Sequence, residues 1–149
     1  MANLLILCIG IPASGKSTWV KEYLREHGAT VVIATDTIRL ELTGTSECDH
    51  RQNSMIYNEA RRRARQALDE KHDVIIDATN VDVHEWLAYK EICRDDTVRV
   101  AKIFKVPPEK AMKRMAKRER QVPREIVEQK WQQLQDNMQF IPYIFHFIL

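Results

Sequence analysis

The sequence predicts an α/β protein of three layers, a parallel sheet covered by helices on both faces. Short apolar runs of strand length alternate with segments of helical periodicity along the whole chain. No hairpin turn signal joins any two of the runs, so consecutive strands must be connected by crossovers, which are right-handed and carry the helices.

The elements follow in order. Leu4 to Ile9 is a near-continuous apolar run, the pattern of a strand buried on both faces. A glycine-rich loop comes next, then a helix from Ser17 to about His27 that Gly28 ends. Thr30 to Ala34 is β-branched and apolar and makes a second strand. From Gln52 to about Lys71, Met55, Ile56, Glu59, Ala60, Ala64, Ala67 and Leu68 recur at helical spacing with arginines between them, which predicts a long polar helix. Asp73 to Asp77 is the third strand, Val83 to Cys93 a helix, and Val98 to Val106 an alternating fourth strand ended by Pro107 and Pro108. Proline suits the first turn of a helix, so two helices are expected, from about Pro108 to Glu119 and from about Pro123 to Met138. Ile144 to Leu149 is expected as a closing strand.

At 149 residues, 44% hydrophobic and 30% charged, the chain has the size and composition of one soluble domain, residues 1–149, without repeat or linker. No stretch approaches the roughly 20 apolar residues that span a bilayer, and Phe140 to Leu149 is broken by Pro142 and His146. The first apolar run lacks a preceding basic segment and leads into the glycine loop, unlike a signal peptide. A cytoplasmic location, with no membrane partner, is expected. Cys8, Cys48 and Cys93 are odd in number and lack metal-ligand spacing, which argues against a disulfide framework or zinc site. Cys8 is read as a small core residue. The net charge of +2 does not by itself imply a nucleic-acid partner.

Gly10, Ile11, Pro12, Ala13, Ser14, Gly15, Lys16 and Ser17 satisfy G-x-x-x-x-G-K-[ST] at every specified position, between a strand and a helix. Such a loop wraps a polyphosphate with backbone N–H groups, and the helix start adds its positive end. Lys16 supplies a point charge to the β- and γ-phosphates and the Ser17 hydroxyl a ligand for magnesium, so ATP and Mg²⁺ are the expected cofactors, with Thr18 completing the nucleotide-binding loop.

Parallel sheets bind ligands at the carboxyl ends of their strands. After the second strand, Asp36 and Arg39 stand three residues apart, on one face if a helix begins there. A phosphoryl acceptor hydroxyl needs a carboxylate to orient it and take its proton, which makes Asp36 the candidate base. Arg39 is the candidate grip on an anionic part of the acceptor. After the third strand, Asp77 is expected to organise the metal, directly or through water. Thr79 and Asn80 are read either as acceptor contacts or as ordinary turn residues.

The segment Lys113 to Arg120 is strongly basic, with Arg114 and Arg118 four apart on one helix face. Arginines on a flap over ATP stabilise the charge of phosphoryl transfer, which makes Arg114 and Arg118 catalytic candidates and Arg120 a further nucleotide contact. The other basic run, Arg61 to Arg63 with Arg65, is a solvated helix face or an extended phosphate track.

Gly10 to Trp19, Asp36 to Arg39, Val74 to Asn80, Val106-Pro107 and Arg114 to Pro123 together resemble the kinase domain of the phage-type polynucleotide 5′-hydroxyl kinases and their P-loop relatives. The resemblance implies a five-stranded parallel P-loop NTPase fold with an arginine-bearing lid. It also implies Lys16 and Ser17 on phosphates and magnesium, Asp36 as general base, Arg39 on an acceptor phosphate, and Arg114 and Arg118 on the ATP phosphates. Many relatives have asparagine where this chain has Met115, and the chain carries no phosphatase, phosphoesterase or ligase signature, which suggests a kinase acting alone. The expected function is transfer of the ATP γ-phosphate to a nucleic-acid hydroxyl, foremost a 5′ end. The rivals are a hydroxymethyl group on a modified DNA base, a small-molecule acceptor such as a nucleoside, and, in a different class, a regulatory ATP-binding module or NTPase.

Overall fold

The computed structural model describes residues 3–47 and 49–149; Cys48 lies outside the described residues. The apolar run Leu4–Ile9 forms β1 and takes the centre of a five-stranded sheet in the order β2-β3-β1-β4-β5. The other strands are β2 (Thr30–Ala34), β3 (Asp73–Asp77), β4 (Val98–Ile103) and β5 (Phe147–Ile148), and every pairing is parallel. The helices are α1 (Lys16–His27), α2 (Thr35–Thr43), α3 (Asn53–Asp69), α4 (Val83–Ile92), α5 (Pro108–Met115), α6 (Arg124–Asn137) and a single turn, α7 (Ile141–Ile144).

Pleating divides β1 between two cores, because successive side chains point to opposite faces. Leu5, Leu7 and Ile9 pack with Ile56, Ala60, Ala64 and Leu68 of α3 and Trp86 and Tyr89 of α4. Ile6 and Cys8 pack on the other face with Val20 of α1, flanked by Trp19, Tyr23 and Leu24. Burial pushes the Cys8 thiol up to about 12, with Asp77 adding to the effect, so it is the inert core residue expected of it. From β1 the chain crosses to one side of the sheet, and after β3 it returns past β1 to the other side. The carboxyl end of β1 is therefore the switch point, where ligands enter open α/β sheets.

The boundaries differ from expectation where local bonds decide them. The long helix begins at Asn53, after a 3₁₀ turn over His50–Gln52 in which the Asp49 side chain accepts from the Arg51 N–H. Met55, counted in its apolar stripe, is 46% exposed. The fourth strand stops at Ile103 rather than Val106, although the Phe104 N–H still reaches the Ile9 carbonyl at 2.8 Å. α5 ends at Met115, four residues before Glu119, because the backbone tightens: Lys117 N–H donates to Arg114 O and Arg118 N–H to Met115 O. Pro123 stands just before α6 instead of inside its first turn. The closing strand shrinks to Phe147–Ile148, since Pro142 opens the turn of α7. Among the described residues, no helix is long and apolar enough to cross a membrane.

Candidate active site

The loop Gly10 to Ser17 leaves the carboxyl end of β1 and enters α1 at Lys16. Its curvature comes from Ala13 and Gly15, whose φ angles of 62° and 97° are left-handed and turn successive N–H groups inward as an anion nest does. Gly10 is required by space: a Cβ there would lie 2.6 Å from Ser14 Oγ and 2.9 Å from Phe104 Cβ. Its N–H donates to the Thr79 carbonyl at 2.9 Å, which ties the loop to the end of β3. Ile11 is fully buried and packs with Ala111, Met115 and Val127 of α5 and α6, so the phosphate loop and the base of the arginine segment share one apolar cluster. Pro12 is half-buried and Thr18 exposed.

Lys16 Nζ donates to Gly10 O at 3.0 Å, Ile11 O at 2.8 Å and Ser14 Oγ at 3.3 Å. Burial pushes its pKa down to about 8; Asp77 opposes the shift most, Arg118 adds to it, and Asp36 opposes it. Both Asp36 and Arg118 thus lie within electrostatic reach of the loop lysine. Ser17 Oγ donates to Asp77 Oδ2 at 3.0 Å. One hydroxyl and one carboxylate make a donor set that suits magnesium, which takes few protein oxygens and fills its octahedron with phosphate and water. Among the described residues no group of three His, Cys, Asp or Glu forms a closed metal cage.

α2 begins at Thr35, so Asp36 and Arg39 stand on one helix face as expected, but they differ in burial and partners. The Asp36 side chain is 64% exposed and its Oδ2 pairs with Arg120 Nη1 at 3.2 Å. Arg39 is only 4% exposed; Nη2 donates to Asn53 Oδ1 at 3.0 Å, while Nε and Nη1 have no partner. A buried guanidinium with two unmet donors is costly and fits an arriving anion. Asn53, whose amide nitrogen lies 3.4 Å from His50 Nδ1, was missed by sequence reasoning, since an asparagine at a helix start is read as a cap.

Asn80 departs from the acceptor reading. It is buried, takes φ 49°, and its amide donates to Cys8 O at 2.8 Å, while its carbonyl accepts Trp86 Nε1 at 2.6 Å. It stitches the turn after β3 to the sheet. Thr79 is half-buried and offers its carbonyl to Gly10.

The basic segment also differs in detail. Because α5 ends at Met115, Arg114 and Arg118 do not share a helix face; they reach the loop separately. Arg114 Nη1 lies 3.7 Å from the point where a Gly15 Cβ would stand. Arg118 bears on Lys16. Arg120, expected on the nucleotide, pairs with Asp36 instead. The segment is braced from within: Gln121 Nε2 donates to Met115 O at 2.7 Å and Arg118 O at 2.6 Å, and Val122 N–H donates to Met115 Sδ at 3.0 Å. Met115 is fully buried and anchors this brace.

The arginines of α3 are paired with carboxylates: Arg61 with Glu85, Arg62 with Glu59, Arg63 with Glu41 and Glu59, and Arg65 with Asp69. That leaves them a neutralised helix face and not a phosphate track.

Comparison with known proteins agrees with this geometry. A chain of the Pnkp1/Rnl/Hen1 RNA repair complex superposes with a TM-score of 0.82 at 25% identity, over 93% of this chain and 46% of that one. A chain from a second Pnkp1/Rnl/Hen1 complex gives 0.68 at 25% identity, over 82% and 41%. This chain thus spans less than half the length of either. A gluconokinase from Sinorhizobium meliloti 1021 shares the fold, with a TM-score of 0.62 at 15% identity, over 91% of this chain and 76% of that one. Residues 5–141 match the AAA_33 family, described as an AAA domain, so the chain belongs to that family and has its α/β P-loop kinase fold.

Proposed function

We propose that this domain transfers the γ-phosphate of ATP to a hydroxyl group of a nucleic acid, foremost a 5′ end. The reading is supported by one observation: Asp36, in the first turn of α2 just past the carboxyl end of β2, pairs with Arg120 at 3.2 Å, and the same basic segment brings Arg114 Nη1 to 3.7 Å from where a Gly15 Cβ would stand. A base for an incoming alcohol and a charge for the transferred group then share one crevice. The donors of Arg39 that lack a protein partner supply a further anion site, as an acceptor that is itself a phosphodiester requires. The likeness to a chain of an RNA repair complex supports a nucleic-acid acceptor.

In this reading the loop N–H groups and Lys16 hold the β- and γ-phosphates. Ser17 and Asp77 would hold magnesium, which would supply charge neutralisation on those oxygens. Asp36 orients the acceptor hydroxyl and takes its proton as the new P–O bond forms and the bond to ADP breaks. Arg114, whose Nη1 lies 3.7 Å from where a Gly15 Cβ would stand, and Arg118 stabilise the negative charge that spreads over the transferred group.

The test is labelled ATP with a panel of 5′-hydroxyl oligonucleotides, duplexes bearing hydroxymethyl bases, and nucleosides. Label on the 5′ end is expected. Asp36→Asn should reduce the transfer rate by at least about 10²-fold while ATP affinity stays within about twofold. Transfer to small molecules alone, or unimpaired transfer by Asp36→Asn, would overturn the proposal.

A further inference from the structure

The one arginine of the basic segment that leaves the nucleotide loop is Arg120, and it reaches the candidate base. Arg120 Nη1 lies 3.2 Å from Asp36 Oδ2, with the arginine side chain 35% and the carboxylate 64% exposed. The same segment places Arg114 over Gly15 and Arg118 within reach of Lys16. Gln121 and Met115 brace it, and Met115 shares an apolar cluster with Ile11 of the loop. The segment that sets Arg114 beside the phosphate loop thus also sets Arg120 on Asp36.

We propose that Arg120 is a positioning residue that guards the base: it engages the Asp36 carboxylate until the acceptor hydroxyl displaces it, and so suppresses transfer to water. The inference rests on Asp36 acting as the base. In the reaction it restrains, a water oxygen forms the new P–O bond, the bond from γ-phosphorus to the ADP oxygen breaks, ADP and inorganic phosphate leave, and the proton of the water passes to Asp36. An oxygen of the carboxylate held by the guanidinium is occupied, and so is not free to orient a water. The guard is weak enough to yield, because a half-exposed ion pair is readily exchanged for another hydrogen-bond partner. Assigning Arg120 to Asp36 also removes it from the ATP contacts.

The experiment measures ATP hydrolysis without acceptor, phosphate transfer to a 5′-hydroxyl oligonucleotide, and ATP affinity, for wild type, Arg120→Ala, Arg120→Lys, Asp36→Asn and the double variant Asp36→Asn with Arg120→Ala. Arg120→Ala should raise acceptor-free hydrolysis about two- to fivefold, the range an exposed ion pair can deliver, with ATP affinity unchanged. Arg120→Lys should restore most of the suppression. The double variant should lose the gain. Raising salt from about 0.05 to 0.5 M should increase hydrolysis by wild type relative to Arg120→Ala, since screening weakens the pair. Hydrolysis by Arg120→Ala at or below the wild-type rate, a gain that survives Asp36→Asn, or a tenfold loss of ATP affinity in Arg120→Ala would each overturn the guard. Unimpaired transfer by Asp36→Asn alone would instead refute the base itself, so the two failures are distinguishable.

Discussion

ATP binding should weaken steeply above pH 8, and Lys16 sets the position of the break. Burial lowers its pKa from 10.5 to about 8, so the folded protein carries the ammonium below that pH and loses it above. Bound phosphates favour the charged form and return its pKa toward the ordinary value, so binding above pH 8 must draw in a proton. The apparent dissociation constant then scales as one plus ten to the power of pH minus pKa, and between pH 7.5 and 9 affinity should fall roughly eightfold. Equilibrium titration with a fluorescent ATP analogue across pH 7 to 9.5 reads the break directly. Calorimetry at pH 9 in buffers of differing ionisation enthalpy should report proton uptake. Lys16→Arg keeps a charge that does not titrate in this range, so its binding, however weak, should show no break. The sign of the stability effect is fixed by the same shift. Between pH 8 and 10.5 the unfolded chain holds the proton more often than the folded one, so nucleotide-free protein should gain stability over Lys16→Met as pH rises, by up to about 3 kcal/mol in urea unfolding. A flat affinity profile in wild type, or an equal fall in Lys16→Arg, would refute the assignment of the break to this lysine.

Arg39→Met should separate folding from function: it removes a buried guanidinium with two unmet donors, and the nucleotide-free domain should melt about 2–4 °C higher, a gain of about 1 kcal/mol. The same variant should lose transfer to an oligonucleotide roughly tenfold to hundredfold, chiefly in acceptor KM. Asn80→Ala should do the reverse. It deprives the Cys8 carbonyl of its donor and puts alanine at φ 49°, which should cost about 2–4 kcal/mol in denaturant unfolding while acceptor KM stays unchanged. A selective rise in acceptor KM would restore Asn80 to the acceptor site.

The strand and helix order was legible because each signal was local. The run Leu4–Ile9, the β-branched Thr30–Ala34 and the spacing of Ile56, Ala60, Ala64 and Leu68 each state their burial within one element. The loop from Gly10 to Ser17 was legible for the same reason, since eight consecutive residues carry the geometry that the phosphates need. What sequence reasoning missed depends on partners distant in the chain. Asp36 and Arg39 are three residues apart, yet one meets Arg120 and the other Asn53, and no spacing rule within α2 can supply either fact. The α3 arginines read as a possible phosphate track until Glu41 and Glu85 arrived from other helices to neutralise two of them.

The basic segment shows why this matters for chemistry. Equal arginines in one short run invited one common role on the nucleotide. A chain leaving α5 through 3₁₀-type turns rotates each residue away from helical register, so Arg114, Arg118 and Arg120 leave the segment in separate directions. Two of those directions lead to the phosphate loop and one to Asp36. One short segment can then both supply charge for transfer and restrain the base that transfer uses, which would favour an alcohol over water as the acceptor.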